Sequence, residues 1–259
     1  MAEIWVRTRW KKFLLNALDL GARFARQFSG GDADRNGPLA AADVRRILVI
    51  ELWNIGDIIL TLPFLAQLRR IFPEARVTLL ARPHAREILE GTGLVDDFIV
   101  ADLGWTEKTI SGNALGYSWR ELFRVVGRLR ERRFDLAFQA RTHVREHFLL
   151  GTSLAKRRVG LAMGSDGGVL TDAIHHLTGS HKTDDWLSLL APFGGAIDCG
   201  DQRLSLSAVE REWATEYLRG RGVEPHHTLI GLHPGASVPK KRWPLARFEE
   251  VLRSLFESP

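Results

Sequence analysis

Residues 47–50, Ile-Leu-Val-Ile, form an uninterrupted apolar run that opens into a short polar connection, Trp53-Asn54-Ile55-Gly56, and then Asp57. A continuous run of this kind suits a parallel strand covered on both faces, Ile47–Leu52. Beyond Asp57, the residues Ile58, Ile59, Leu62, Leu65, Leu68 and Ile71/Phe72 recur at helical spacing and predict a helix over 58–72. A strand that delivers a polar loop to a helix start is where open α/β sheets place their ligands. A second copy of this plan, Leu229-Ile230-Gly231-Leu232-His233-Pro234-Gly235, predicts another strand at Thr228–Leu232.

Between these two places the pattern alternates. Strands are expected at Val77–Leu80, Phe98–Val100, Phe134–Gln139 and Arg158–Leu161. Helices are expected at 84–90, 119–132, 144–155, 182–193, 208–220 and from Leu245 onward. Alternation of this kind implies βαβ units and a parallel sheet, an α/β fold. Residues 102–118 form a polar, Gly-containing loop, longer than a compact domain needs. The chain thus reads as three regions: 1–43, a basic amphipathic helix and linker; 44–195, a doubly wound domain; and 196–259, the start of a second. A lone parallel strand in the last region leaves two open edges, so that domain is expected to be incomplete.

Composition narrows the partners. The 259 residues are 45% hydrophobic and carry a formal net charge of +5, which favours anionic ligands. Nucleic acid is disfavoured, because no RNA-recognition, zinc-finger or helix-turn-helix signature is present. Cys199 is the single cysteine, so an intrachain disulfide is excluded and a reducing compartment fits. No apolar run reaches about 18 residues, and the first residues lack the features of a signal peptide. Residues 4–28 predict a helix with Trp10, Phe13, Phe24 and Phe28 on one side, ringed by Arg7, Arg9, Lys11, Lys12, Arg23 and Arg26. Such a helix suits an anionic membrane surface, or alternatively packs on its own domain.

The candidate site residues fall in three groups. Asp57 is placed to accept a proton from a hydroxyl in the crevice, or it is an ordinary helix cap; Gly56 permits close backbone approach. One glycine stands where a dinucleotide fingerprint wants three, so a nicotinamide cofactor is not expected. In the second loop Gly235 and Ala236 offer backbone N–H groups, Ser237 a hydroxyl, and Lys240, Lys241 and Arg242 positive charge. That set makes a diphosphate cradle, or else a solvated basic loop. Arg82, His84 and Arg86 come after the second strand, and Arg141 and Arg145 after the fourth; they could bind an anionic acceptor or remain solvated. His143, Glu146 and His147 match the H-x-x-E-H pattern of inverted zinc proteases, but a polar helix start explains them better. Asp32-Ala33-Asp34 is a metal-binding pattern in the wrong setting, and the adjacent pairs His175-His176 and His226-His227 make poor chelates. No metal site is expected.

Taken together, R-I-L-V-I-E-L-W-N-I-G-D-I-I-L-T-L-P-F-L followed by L-R-R-I-F-P-E-A-R-V-T-L-L-A resembles the start of bacterial lipopolysaccharide heptosyltransferases, glycosyltransferase family nine. I-G-L-H-P-G-A-S followed by K-R-W-P resembles the opening of that family's second domain. F-D-L-A-F-Q-A-R falls where the family carries a D-L-Q-G-like strand end, from which Ala140 and Arg141 depart. The resemblance covers residues 45–257. It implies two Rossmann-like domains facing a cleft, of the GT-B type. The implied reaction is inverting, metal-independent transfer of a heptose or related sugar from an ADP-activated donor to a lipopolysaccharide core acceptor. On this resemblance Asp57 matches the general base, Lys241 the phosphate-contacting lysine and Ser237 the small hydroxyl residue of the same loop. The donor is a substrate, so no cofactor is implied. The implied place is the cytoplasm, peripheral on the inner face of the membrane. The alternative is a non-catalytic, membrane-associated glycolipid-binding relative or an inactive fragment.

If the first helix lies on a membrane, deleting residues 1–30 abolishes binding to anionic vesicles at physiological salt and leaves the fold intact. Vesicle co-sedimentation with circular dichroism checks both halves.

Overall fold

The computed structural model describes residues 41–103, 118–162, 169–175, 179–194, 204, 206–236 and 239–257. The helix expected at 4–28, Asp32-Ala33-Asp34, most of the 102–118 loop, His176, Cys199 and Ser237 lie outside these residues. The chain divides into two units, Met1–Leu204 and Ser205–Pro259.

The first unit is a six-stranded parallel sheet in the order β3-β2-β1-β4-β5-β6. Its strands are β1 (Arg46–Glu51), β2 (Arg76–Ala81), β3 (Asp97–Val100), β4 (Leu136–Gln139), β5 (Arg157–Leu161) and β6 (Asp172–Ile174). The helices are α1 (Ile55–Leu60), α2 (Leu62–Ile71), α3 (Pro83–Leu89), α4 (Trp119–Glu131), α5 (Val144–Thr152) and α6 (Lys182–Ser188). This strand order is the doubly wound one, and it reverses direction between β1 and β4.

β1 shows why. Its pleat sends Ile47 and Val49 to one face and Leu48 and Ile50 to the other, and all four are fully buried. Ile47 and Val49 meet Phe64, Leu65 and Leu68 of α2 and Trp186 of α6 in one core cluster. Leu48 and Ile50 share the second cluster with Val125 and Leu129 of α4 and Leu149 and Leu150 of α5. Register is pinned at the opposite end by Asp135, whose carboxylate accepts the N–H groups of Arg45 (2.9 Å) and Arg46 (3.0 Å).

Two expectations need correction inside this unit. The helix over 58–72 is two helices, joined at Thr61. Pro63 has no N–H to bond back into the preceding turn, and the Thr61 hydroxyl donates instead to the Ile58 carbonyl at 2.7 Å. The strand β6 has no counterpart among the expected elements. It is a three-residue edge strand, Asp-Ala-Ile, with no apolar run to announce it. Tertiary contacts hold it: Asp172 pairs with Arg157, and the Thr171 hydroxyl accepts the Arg158 N–H at 2.8 Å.

In the second unit, α7 (Ala208–Arg219) and α8 (Leu245–Glu257) form as expected. The strand expected at Thr228–Leu232 does not. These residues carry no strand hydrogen bonding, and Leu229, Ile230 and Leu232 are exposed. A parallel strand exists only through its neighbours, and the described residues of this unit offer none.

Phe64 lies edge-on to Phe138 (centroids 5.3 Å) and tilted against Trp186 (4.9 Å), so it ties α2 and α6 to β4. Phe64→Ala is expected to lower stability by about 3–5 kcal/mol, as measured by chemical denaturation of the folded chain.

Candidate functional site

The reversal between β1 and β4 opens a crevice at the C-terminal ends of the strands, and the sequence fills it with charge. β1 ends in Glu51, which is 1% exposed. Its Oε1 accepts the Trp53 N–H at 3.1 Å, so the chain turns sharply out of the strand. Asn54 then caps α1, and Asp57 is the third residue of that helix. Asp57 Oδ2 accepts the Asn54 N–H at 3.0 Å, which satisfies a backbone donor at the helix start. The cap is thus Asn54, and Asp57 is its reciprocal partner. Gly56 has open space where a Cβ would stand, so nothing in the fold itself demands glycine there.

From the other side of the crevice, Arg141 extends the chain beyond β4. Its Nη2 donates to Asp57 Oδ1 and lies 3.6 Å from Glu51 Oε2. The guanidinium sits over the Trp53 ring, 4.7 Å from its centroid, a cation–π contact. Glu146 on α5 completes the cluster: its carboxylate accepts from the Trp53 indole N–H and from Gln139 Nε2 (3.2 Å). Nearby, Lys182 of α6 donates to the Ala140 carbonyl at 2.8 Å and to Asp185 at 3.1 Å.

Three acids therefore surround one guanidinium, and burial is the largest influence on two of them, Glu51 and Glu146. Removal from water pushes the Glu51 carboxyl up to about 7 from an ordinary 4.5; Arg141 opposes this, while Asp57 and Glu146 add to it. Burial likewise raises Glu146, against the hydrogen bond from Trp53 and the charge of Arg141. Arg141 is held above its ordinary value: burial works against its charge, and Glu51 and Asp57 outweigh that cost.

The other residues singled out from sequence are spread over both units. Arg82 and Arg86 stand at the end of β2 and on α3; Arg82 is 3.6 Å from Asp102, and Arg86 is 4.0 Å from Glu90 and stacks over Phe98. Arg145 lies in the first turn of α5, next to Glu146 in the chain. His147 is buried, with Nδ1 3.2 Å from the His143 carbonyl and Nε2 3.2 Å from the Leu161 carbonyl. His143 caps α5, its ring 6.2 Å from that of Trp53. Among the described residues no group of three or more His, Cys, Asp or Glu is set to hold a metal ion. Within the second unit, Gly235 and Ala236 precede a 3₁₀ turn, Pro239–Lys241, and Arg242 Nε reaches back to the Ala236 carbonyl at 3.3 Å. Lys240 and Lys241 are exposed.

Sequence reasoning overlooked Glu51, Glu146 and Gln139 as members of one site. The single available signal was an acidic residue closing an otherwise apolar strand.

Comparison with known proteins gives a family match and several structural matches. The sequence profile of glycosyltransferase family 9 (heptosyltransferase) matches residues 122–258. A glycosyl transferase family 9 structure from Veillonella parvula superposes with a TM-score of 0.64 at 24% identity, covering 82% of this chain and 59% of its own. E. coli ADP-heptose LPS heptosyltransferase II gives 0.56 at 19% identity, covering 82% and 61%. E. coli heptosyltransferase WaaC with ADP-2-deoxy-2-fluoro heptose gives 0.56 at 14%, covering 82% and 66%. At these identities the likeness establishes the fold, and the chain spans about 60% of the length of the first two. No curated protein matches it.

The raised Glu51 carboxyl has a consequence for stability. Between pH 4.5 and about 7 the folded chain keeps a proton that the unfolded chain has lost. Stability therefore falls as pH rises through that window and levels off above it. Glu51→Gln removes this contribution, so the melting-temperature difference between variant and wild type should grow in the variant's favour from pH 5 to pH 7.5. Thermal melts across that range read the effect.

Proposed function

The chain belongs to glycosyltransferase family 9, the heptosyltransferase family, and from that premise we propose that it takes part in inverting transfer of a heptose or related sugar from an ADP-activated donor to an anionic lipopolysaccharide-core acceptor. Asp57 is the base. The observation that carries this reading is its position: a carboxylate 22% exposed, in the first turn of the helix that follows the central strand, where the strand order reverses. An inverting displacement needs one group to take the proton from the acceptor hydroxyl as it attacks the anomeric carbon. It also needs positive charge on the departing nucleoside diphosphate. The first requirement falls to Asp57. The second falls to Lys241, with the backbone of Gly235 and Ala236 and the hydroxyl of Ser237, in the unit Ser205–Pro259. On this reading the two roles are divided between two domains, as in a GT-B enzyme acting without a metal.

Two solved relatives carry ADP or an ADP-heptose analogue, which supports an ADP-sugar as the donor class. Arg82, Arg86, Arg141 and Arg145 line the strand ends of the first unit and would meet the anionic acceptor, with Gly56 allowing its close approach. Among the described residues no helix is long and apolar enough to cross a membrane. A lipid-linked acceptor then calls for attachment at the inner-membrane surface, to which residues 4–28 are suited.

Asp57→Asn keeps the acceptor for the Asn54 N–H and removes the basic carboxylate. Turnover in the complete protein should fall about 10²–10⁴-fold, with little change in melting temperature. Lys241→Ala should weaken donor binding by about 10–100-fold while leaving acceptor binding intact. Normal turnover by the Asp57→Asn enzyme would leave Asp57 as a helix-start residue and end the assignment.

A further inference from the structure

Glu51 lies beneath the site with its side chain wholly covered. Its Oε2 has no hydrogen-bond partner among the described residues and faces Arg141 Nη2 at 3.6 Å. The same Nη2 donates to Asp57 Oδ1. One guanidinium nitrogen is shared between a buried carboxyl and one that opens on the crevice.

We propose that Glu51 is a positioning residue for Asp57, acting through Arg141 to set how much of the guanidinium charge the Asp57 carboxylate holds; this rests on the reading of Asp57 as base. With Glu51 protonated, Arg141 and Asp57 form a neutral pair, and a carboxylate held in such a pair accepts a proton poorly. With Glu51 ionised, two carboxylates divide one positive charge, and Asp57 becomes the better acceptor. Burial brings the Glu51 titration to about 7, so the change falls within the physiological range.

The surrounding charges leave this coupling intact. Glu146 faces the same guanidinium from α5, but Trp53 and Gln139 occupy both its oxygens. Lys182 reaches in from α6 and is anchored on Ala140 and Asp185. His143 and Arg145 flank the start of α5, and His147 is engaged with backbone carbonyls. The Trp53 ring packs against the guanidinium, 4.7 Å from its centroid, and adds no charge to the group.

Coupling between two ionisable groups is reciprocal, so it can be read from Glu51 without any turnover. Carbon-13 NMR titration of the Glu51 carboxyl in the full chain should give a midpoint near 7. In Asp57→Asn the midpoint should move down, because a neighbouring anion is gone and Arg141 is left to Glu51. In Arg141→Gln it should move up. A midpoint that stays put or moves the other way in either variant overturns the proposal. In kinetics, turnover should rise by up to about tenfold between pH 6 and pH 8, and Glu51→Gln should be nearly flat across that range. A Glu51→Gln profile with the same rise would also overturn it. Normal turnover in Asp57→Asn with the NMR shifts present would remove Asp57 as base and leave the charge coupling standing.

Discussion

The structure depends on a strand that has no free edge and no free face. β1 is hydrogen-bonded to β2 on one side and β4 on the other, and its four apolar residues are divided between two cores. Such a strand cannot shift register without driving its apolar residues into the wrong layer or leaving backbone groups unpaired. The residues at its C-terminal end are therefore delivered to a fixed place. Glu51, Trp53 and Asp57 are those residues, and the fixed place is the point where the sheet order turns back.

Arg141 is what makes that delivery tolerable. A carboxyl as buried as Glu51 is costly to ionise, and a second and third acid nearby raise the cost. A guanidinium stacked on Trp53 offsets it, because a planar cation can face two carboxylates at once and loses little hydration on an aromatic face. The balance leaves the Glu51 carboxyl pushed up to about 7, with burial the larger effect. Polar clusters of this kind, incompletely satisfied and held by a rigid core, concentrate at sites of chemistry more often than in structural interiors.

The second unit contrasts with this. Its helices obey local rules: Ser207 and Glu210 form a capping box at the start of α7, with Glu210 accepting the Ser207 N–H at 2.7 Å. The apolar run at Leu229–Leu232 has no such local solution, since a strand is stabilised by its neighbours and by little within itself. Among the described residues the result is helices without a sheet, and the loop carrying Gly235, Ala236 and Lys241 continues directly from the unpaired run.

Much of this was written in the residues. The apolar run 47–50 specified a doubly covered strand because no other element buries four consecutive apolar side chains in opposite directions. The spacing of Leu62, Leu65 and Leu68 specified a helix, and the alternation of such segments specified the parallel sheet. The position of Asp57 just past the strand end was equally legible, as was the family resemblance carried by its neighbours. What the residues alone left undecided is which groups meet. The partnership of Glu51, Arg141 and Glu146 joins positions about ninety apart in the chain, and no local periodicity records it. The edge strand β6 was likewise decided by Arg157 and Thr171, and the fate of residues 228–232 by the lack of a neighbour among the described residues. Helices and buried strands arise from patterns within a few residues. Edge strands, ion pairs and the protonation of a buried acid arise from what the fold brings alongside, and only the tertiary structure decides that.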